Sequence, residues 1–207
     1  MVILPSTYLP SISYIERIIA ASKRGERVII DIGEHYIKRS PRNRAKIATA
    51  QGVMELTVPV KNANRPRQPM HSVEIDYSKR WQHQHYTAML SAYKSSPFFD
   101  HYSPYIEPIY RREYKKLTEL NGELLKVIFK LLQLNKSVSF DSSLTYIEPT
   151  TTDRDLRPKG SIENGFEPRE YIQVFSDRLP FEADLSMLDL LFCEGPNALD
   201  YVGASRR

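Results

Sequence analysis

The sequence predicts an α/β protein: a mixed sheet with an N-terminal βαβ-like unit, and a helical part over about 81–134. Three observations predict it. Two short apolar runs, Val2-Ile3-Leu4 and Val28-Ile29-Ile30, bracket isoleucines at helical spacing. An alternating segment, 53–60, has the period of a half-buried strand. Leucines and an isoleucine three or four apart then run from Leu117 to Leu131. An α+β arrangement is the alternative architecture.

Each element has its own justification. Val2-Ile3-Leu4 reads as a strand closed by Pro5, and Pro10 suits the first turn of a helix, where a missing N–H does no harm. Ile12, Ile15, Ile18 and Ile19 carry that helix to Ala21, and Lys23-Arg24-Gly25 ends it. Strand, helix and strand within about thirty residues match a βαβ unit and a parallel pair. Ala45–Ala50 and Val53–Val60 flank a turn at Gln51-Gly52, and polar Asn62–Pro69 reads as a loop. Val73–Tyr77 is a further strand expectation. Trp81, His85, Ala88, Met89 and Ala92 share a helix face until Pro97. One helix is expected over Tyr110–Leu134, weakened slightly by Gly122. Thr150–Gly165 reads as a polar loop and Tyr171–Phe175 as a late strand. Ser186 opens a last helix, Met187–Cys193, stopped by Gly195-Pro196, and the tail Gly203–Arg207 is expected to fray.

Composition narrows the function classes. At 207 residues and 41% hydrophobic content, the chain can bury a core and is read as one domain, 1–207. No stretch approaches the roughly 18 apolar residues of a membrane span, and Met1–Pro5 lacks the features of a leader, so a cytoplasmic location is expected. One cysteine, Cys193, excludes an intrachain disulfide and a cysteine-only metal cluster. P-loop, GxGxxG, GxSxG and HExxH motifs do not occur.

Charge is unevenly spread. Between Lys38 and Arg67 eight basic residues face one acid, Glu55, although the whole chain carries only +4. From Ser139 to Asp200 the balance reverses, with thirteen acids and five basic residues. One-sign charge near strand ends can focus a field on an anion. Nucleic acid is disfavoured as a partner, because backbone binding needs a broader positive face. Arg42 and Arg44 offer planar forks for phosphate or carboxylate, and Lys38 a compact charge. Asn43, between the arginines, either caps a turn or meets a sugar hydroxyl. The alternative is that these cations pair with the acidic C-terminal half.

His35 sits beside the basic segment and His85 one helical turn from Trp81; either could move a proton. Trp81 with His85 could receive a sugar ring, or pack in the core with His85 bonded to backbone. No metal site is expected: His83-x-His85, His71 and His101 have no recognised ligand spacing. Cys193 reads as packing.

Several segments then add up to a resemblance. Pro5-Ser6-Thr7-Tyr8-Leu9-Pro10 with Tyr14-Ile15, His35-Tyr36-Ile37-Lys38 with Asn43-Arg44, and Leu56-Thr57-Val58-Pro59-Val60 form its first half. Trp81 with His85 and Tyr93, Pro97-Phe98-Phe99, and Leu188-Asp189-Leu190-Leu191-Phe192 with Gly195 extend it. In these the chain resembles the WbqC-like protein family over nearly its whole length. The resemblance implies work on sugar or nucleotide-sugar intermediates of surface polysaccharides, with an acyl or aminoacyl transfer as one reaction type. Tyr8, Tyr36 and Tyr93, which lie in the matching segments, are further ligand-binding candidates. The chain departs from the family pattern at Pro5-Ser6, where Gln-Pro is common, at Ser11 for Trp, and at Ile32-Gly33 for an Asp-Asp pair. A looser likeness is to the opening of nucleotidylyltransferase-type proteins, without the His-x-Gly-His signature, since Tyr8 to Tyr14 contains no histidine.

The resulting expectation is an enzyme acting on an anionic, nucleotide-linked sugar. Lys38, Arg42 and Arg44 would hold the anion, Tyr8 and Trp81 would contact ring or base, and His35 or His85 would move the proton. The sequence names no cofactor. A non-catalytic module binding an anion or a partner protein is the competing expectation.

Overall fold

The computed structural model describes residues 1–134, 138–157 and 169–202. The two apolar runs become strands shielded throughout: β1 (Val2–Pro5) and β2 (Val28–Asp31) are buried at every position, as expected inside a parallel sheet. They pair in parallel, Val2 opposite Val28 and Pro5 opposite Asp31. α1 (Ile12–Lys23) joins them. Its cap is Ser11, whose hydroxyl accepts from the Tyr14 N–H. The helix therefore starts two residues later than Pro10 suggests, because a serine oxygen satisfies a donor that proline cannot.

β5 (Asp141–Ser143) adds beside β2 and β6 (Arg154–Asp155) beside β1, both parallel, giving the order β5-β2-β1-β6. The chain leaves β1 towards β2 and later returns to its other side as β6. The carboxyl ends of β1 and β6 thus flank a topological switch point, where open α/β sheets place ligands. β3 (Arg44–Thr49) and β4 (Gly52–Thr57) form a separate antiparallel hairpin, Arg44 opposite Thr57 and Thr49 opposite Gly52. A mixed α/β fold is what the sequence predicts.

Four local expectations are corrected. Val73–Tyr77 makes only isolated bridges, Glu74 to Lys116 and Ile75 to Val60; it stitches two different segments, so no ladder grows. The single helix over Tyr110–Leu134 is two, α3 (Phe99–Arg111) and α4 (Leu117–Leu131). Between them the Tyr77 hydroxyl donates to the Tyr114 carbonyl and accepts from the Tyr114 N–H, holding that backbone away from helical bonds. Tyr171–Phe175 is not a strand: the Gln173 side chain exchanges two hydrogen bonds with the Glu182 backbone, replacing a ladder by an amide clamp. The polar stretch from Thr150 contains β6; its part from 158 to 165, and the tail Gly203–Arg207, lie outside the described residues.

α2 (Trp81–Tyr93) and α5 (Met187–Glu194, capped by Ser186) follow the predicted bounds closely. α6 (Ala198–Tyr201) ends the described chain. One apolar cluster draws on β1, β2, the hairpin and helices α1 to α6.

Candidate functional site

Above the carboxyl end of β1 opens a cleft of about 390 Å³. Its floor is Pro5 and the loop from Thr7 to Ser11; its walls are the first turns of α1, the β3–β4 hairpin, Leu156 after β6, and the segment 183–186. It therefore sits at the switch point. Four cations line it, Arg17, Arg39, Arg44 and Lys46, with two carboxylates, Glu55 and Asp184. Arg44 pairs with Glu55 across the hairpin at 2.5 Å, both partly exposed. Arg39 and Lys46 have no ion-pair partner among the described residues.

The sequence-predicted site residues do not converge there. Tyr8 and Arg44 line the cleft; the other eight do not. Arg42 is 1% exposed and points inward. Its Nε donates to Glu34 Oε1 at 2.9 Å and its Nη2 to Glu34 Oε2 at 2.5 Å. Burial pushes the Glu34 carboxyl up, and the hydrogen bonds and charge of Arg42 pull it back. Asn43 is buried beside it and donates to the Val58 carbonyl. Lys38 is exposed and bonds the Asn64 side chain. His35 is exposed, its backbone bridged to Pro69, and the half-buried Tyr36 donates its N–H to Gln68.

The aromatic residues are core. Tyr8 bonds His85 Nδ1 at 2.9 Å and the Tyr110 hydroxyl at 2.5 Å. Trp81 stacks edge-on against His85 with centroids 5.2 Å apart. Burial pushes the His85 pKa down to about 4, with a backbone bond to Thr57 acting the other way. Tyr93 donates to Asp189 and accepts from the Ala48 N–H, tying α2 to α5 and β3.

Sequence reasoning missed the charged residues that only meet in three dimensions. Asp31, fully buried at the end of β2, accepts from the Gly33, Glu34 and Ile147 N–H groups and from Arg157. Arg157 also grips both oxygens of Asp155, at 2.8 and 2.7 Å. Asp189 accepts from Tyr93 and Tyr171, and burial raises its carboxyl above the usual range. For Asp31, after Val28-Ile29-Ile30, and Asp189, within Met187–Phe192, the only sequence signal is an acid in an otherwise apolar run; Asp155 and Arg157 lie in a polar stretch and carry none. The Asp-Asp departure also gains a reason. A side chain at Gly33 would strike the backbone of 144–146, so only glycine fits there. The neighbouring Asp31 and Glu34 are each held by an arginine.

A second hollow of about 380 Å³ lies at the start of α2, lined by Tyr77, Tyr86 and Tyr110 with charges of both signs. Arg111 there pairs with Glu107. Among the described residues no group of three or more His, Cys, Asp or Glu is arranged to hold a metal ion, and no helix is long and apolar enough to cross a membrane.

Comparison with known proteins gives two likenesses. The chain is similar to the uncharacterized protein Rv1507c of Mycobacterium tuberculosis (strain ATCC 25618 / H37Rv), 28% identical over 236 aligned positions that take in 99% of this chain and 98% of that protein. No solved structure matches. The model of the WbqC-like protein family matches residues 6–164, which contain the loop from Thr7 to Ser11, α1, the basic segment, the hairpin and α2 to α4, and the chain belongs to that family.

Proposed function

We propose that this protein is an enzyme of surface-polysaccharide (O-antigen-type) biosynthesis that binds an anionic, nucleotide-linked sugar in the cleft above β1 and transfers an acyl or aminoacyl group. One observation carries the reading: four cations line a cleft at the switch point of a parallel sheet, and two of them, Arg39 and Lys46, lack an ion-pair partner among the described residues. Such charge in a low-dielectric cleft attracts phosphate. Within this reading Arg44, Arg39 and Lys46 hold the anion, and Tyr8 lies beneath it. The βαβ opening supports the nucleotidylyltransferase-like comparison as topology; adenylyl transfer does not follow from it. A cytoplasmic location, where nucleotide sugars are made, belongs to the same reading.

A specific observation favours a second reading. Neither His35 nor His85 lines the cleft, so neither expected proton-moving histidine stands beside the proposed anion seat. A module that binds an anion or a partner protein without turnover fits this.

Isothermal titration with a panel of nucleotide sugars tests the first reading. Arg44→Ala and Arg39→Ala should each weaken binding about ten-fold, the loss of one charge-assisted hydrogen bond. Mass spectrometry of a binding sugar incubated with acyl and aminoacyl donors should then show product. Binding without product selects the module, and no binding by any member rejects the nucleotide-sugar reading.

A further inference from the structure

The anion position in such a cleft is ordinarily the first turn of the helix that follows the first strand, where backbone N–H groups are unsatisfied. Here that turn is occupied. Asp184, 171 residues away in sequence, accepts the Ser13 N–H at 2.8 Å and the Ser13 hydroxyl at 2.9 Å. Its backbone lies in the left-handed region at φ +56°, rare for a residue with a side chain and kept only where the surroundings hold it. Those surroundings are explicit: Ile12 N–H donates to Leu185, Met187 N–H to Pro10, and Ser186 N–H to Lys46. The segment is laced to α1 on one side and to the hairpin on the other, and Asp184 faces the cleft that holds Arg39, Arg44 and Lys46.

We infer that Asp184 determines the specificity of this cleft: its carboxylate is a built-in occupant of the anion position at α1, which keeps phosphate off the helix and directs a ligand's anionic group to Arg39, Arg44 and Lys46. This rests on the cleft being an anion site, as proposed above. A carboxylate offers about four acceptor positions. Ser13 takes two of them and Ser11 bears on a third, which leaves Asp184 able to accept from a ligand hydroxyl but repel a ligand phosphate. Burial also raises its carboxyl above the usual range, against hydrogen bonds from Ser13 and Ser11 and the charge of Arg17.

The test compares wild type, Asp184→Asn and Asp184→Ser, each checked for folding by circular dichroism, with inorganic pyrophosphate as the titrant. Removing the charge should tighten pyrophosphate binding at least ten-fold in both variants. Unchanged or weaker binding in a folded variant overturns the inference. A gain with no nucleotide sugar bound by any of the proteins would sink the functional reading and leave the role of Asp184 standing. If both variants misfold, a sulfate titration of Glu55→Gln decides, since sulfate keeps its charge across the range and Asp184 is then the one carboxylate left among the lining residues. Affinity should rise as the pH falls through the Asp184 titration; a flat profile overturns the inference. Sharing the cleft with Asp184 in that experiment are Arg17, Ser11, Ser13 and Tyr14 of α1 and its cap, Arg44 and Lys46 of β3, Glu55 of β4, and Arg39.

Discussion

His85 has an imidazole suited to proton transfer, yet its Nδ1 is bonded to Tyr8, a backbone bond runs to Thr57, and burial holds its pKa near 4. Above pH 6.5 both folded and unfolded states are neutral at this residue. Between about 6.5 and 4 the unfolded chain binds a proton that the native state refuses, so stability falls as pH falls. The loss approaches roughly 3 kcal/mol and levels off below the native pKa. Urea midpoints for wild type should therefore drop faster than those for His85→Gln over that interval. Parallel curves would show that His85 is not held neutral. Arg42 and Arg44 make the same point about charge. Arg42→Ala strands the buried Glu34 carboxylate and should cost about 3–5 kcal/mol, read as a large fall in Tm. Arg44→Ala, which breaks a partly exposed pair with Glu55, should stay within about 1 kcal/mol in the same melts. Two arginines two residues apart thus divide into a buried structural lock and a partly exposed side chain that lines the cleft.

At the scale of elements, the sheet depends on strands that carry almost no pattern. β5 is Asp-Ser-Ser and β6 is Arg-Asp, and each is held by neighbours rather than by its own apolar residues. β5 is continued by the Ile32 and Gly33 N–H groups, both donating to Ser143, and the chain then passes close over Gly33. Gly33→Ala should displace the 144–146 backbone and cost about 1–3 kcal/mol, the range for overpacking a tight contact. A thermal melt matching wild type would mean that the β5 connection yields freely. The helical part tells a related story. Its periodicity is continuous enough across 110–134 to read as one helix, but the Tyr77 hydroxyl competes successfully for the Tyr114 backbone. Glu119 then accepts the Lys116 N–H and restarts the helix as α4.

For the molecule as a whole, local pattern sufficed wherever one segment's own apolar residues face one core. β1, β2, α1, the hairpin, α2 and α5 were legible on that basis, as was the ordered set of segments that places the chain in its family. The concentration of cations between Lys38 and Arg67 was equally legible. Which of those cations remain available to a ligand was not. Arg42 is neutralised within its own segment by Glu34, while Arg39 and Lys46 meet no carboxylate among the described residues. Spacing cannot separate these cases, because ion pairing depends on direction and burial rather than on position in the chain. The contacts that shape the cleft and the buried charge beside it are longer still: Arg157 reaches Asp31 across 126 positions and Asp184 reaches Ser13 across 171. The sequence by itself determined the class of fold, the family and the sign of the exposed charge. Tertiary structure alone decided where that charge opens onto a cleft, because a helix terminus, a strand end and a distant carboxylate acquire a shared electrostatic environment only once the chain has closed around them.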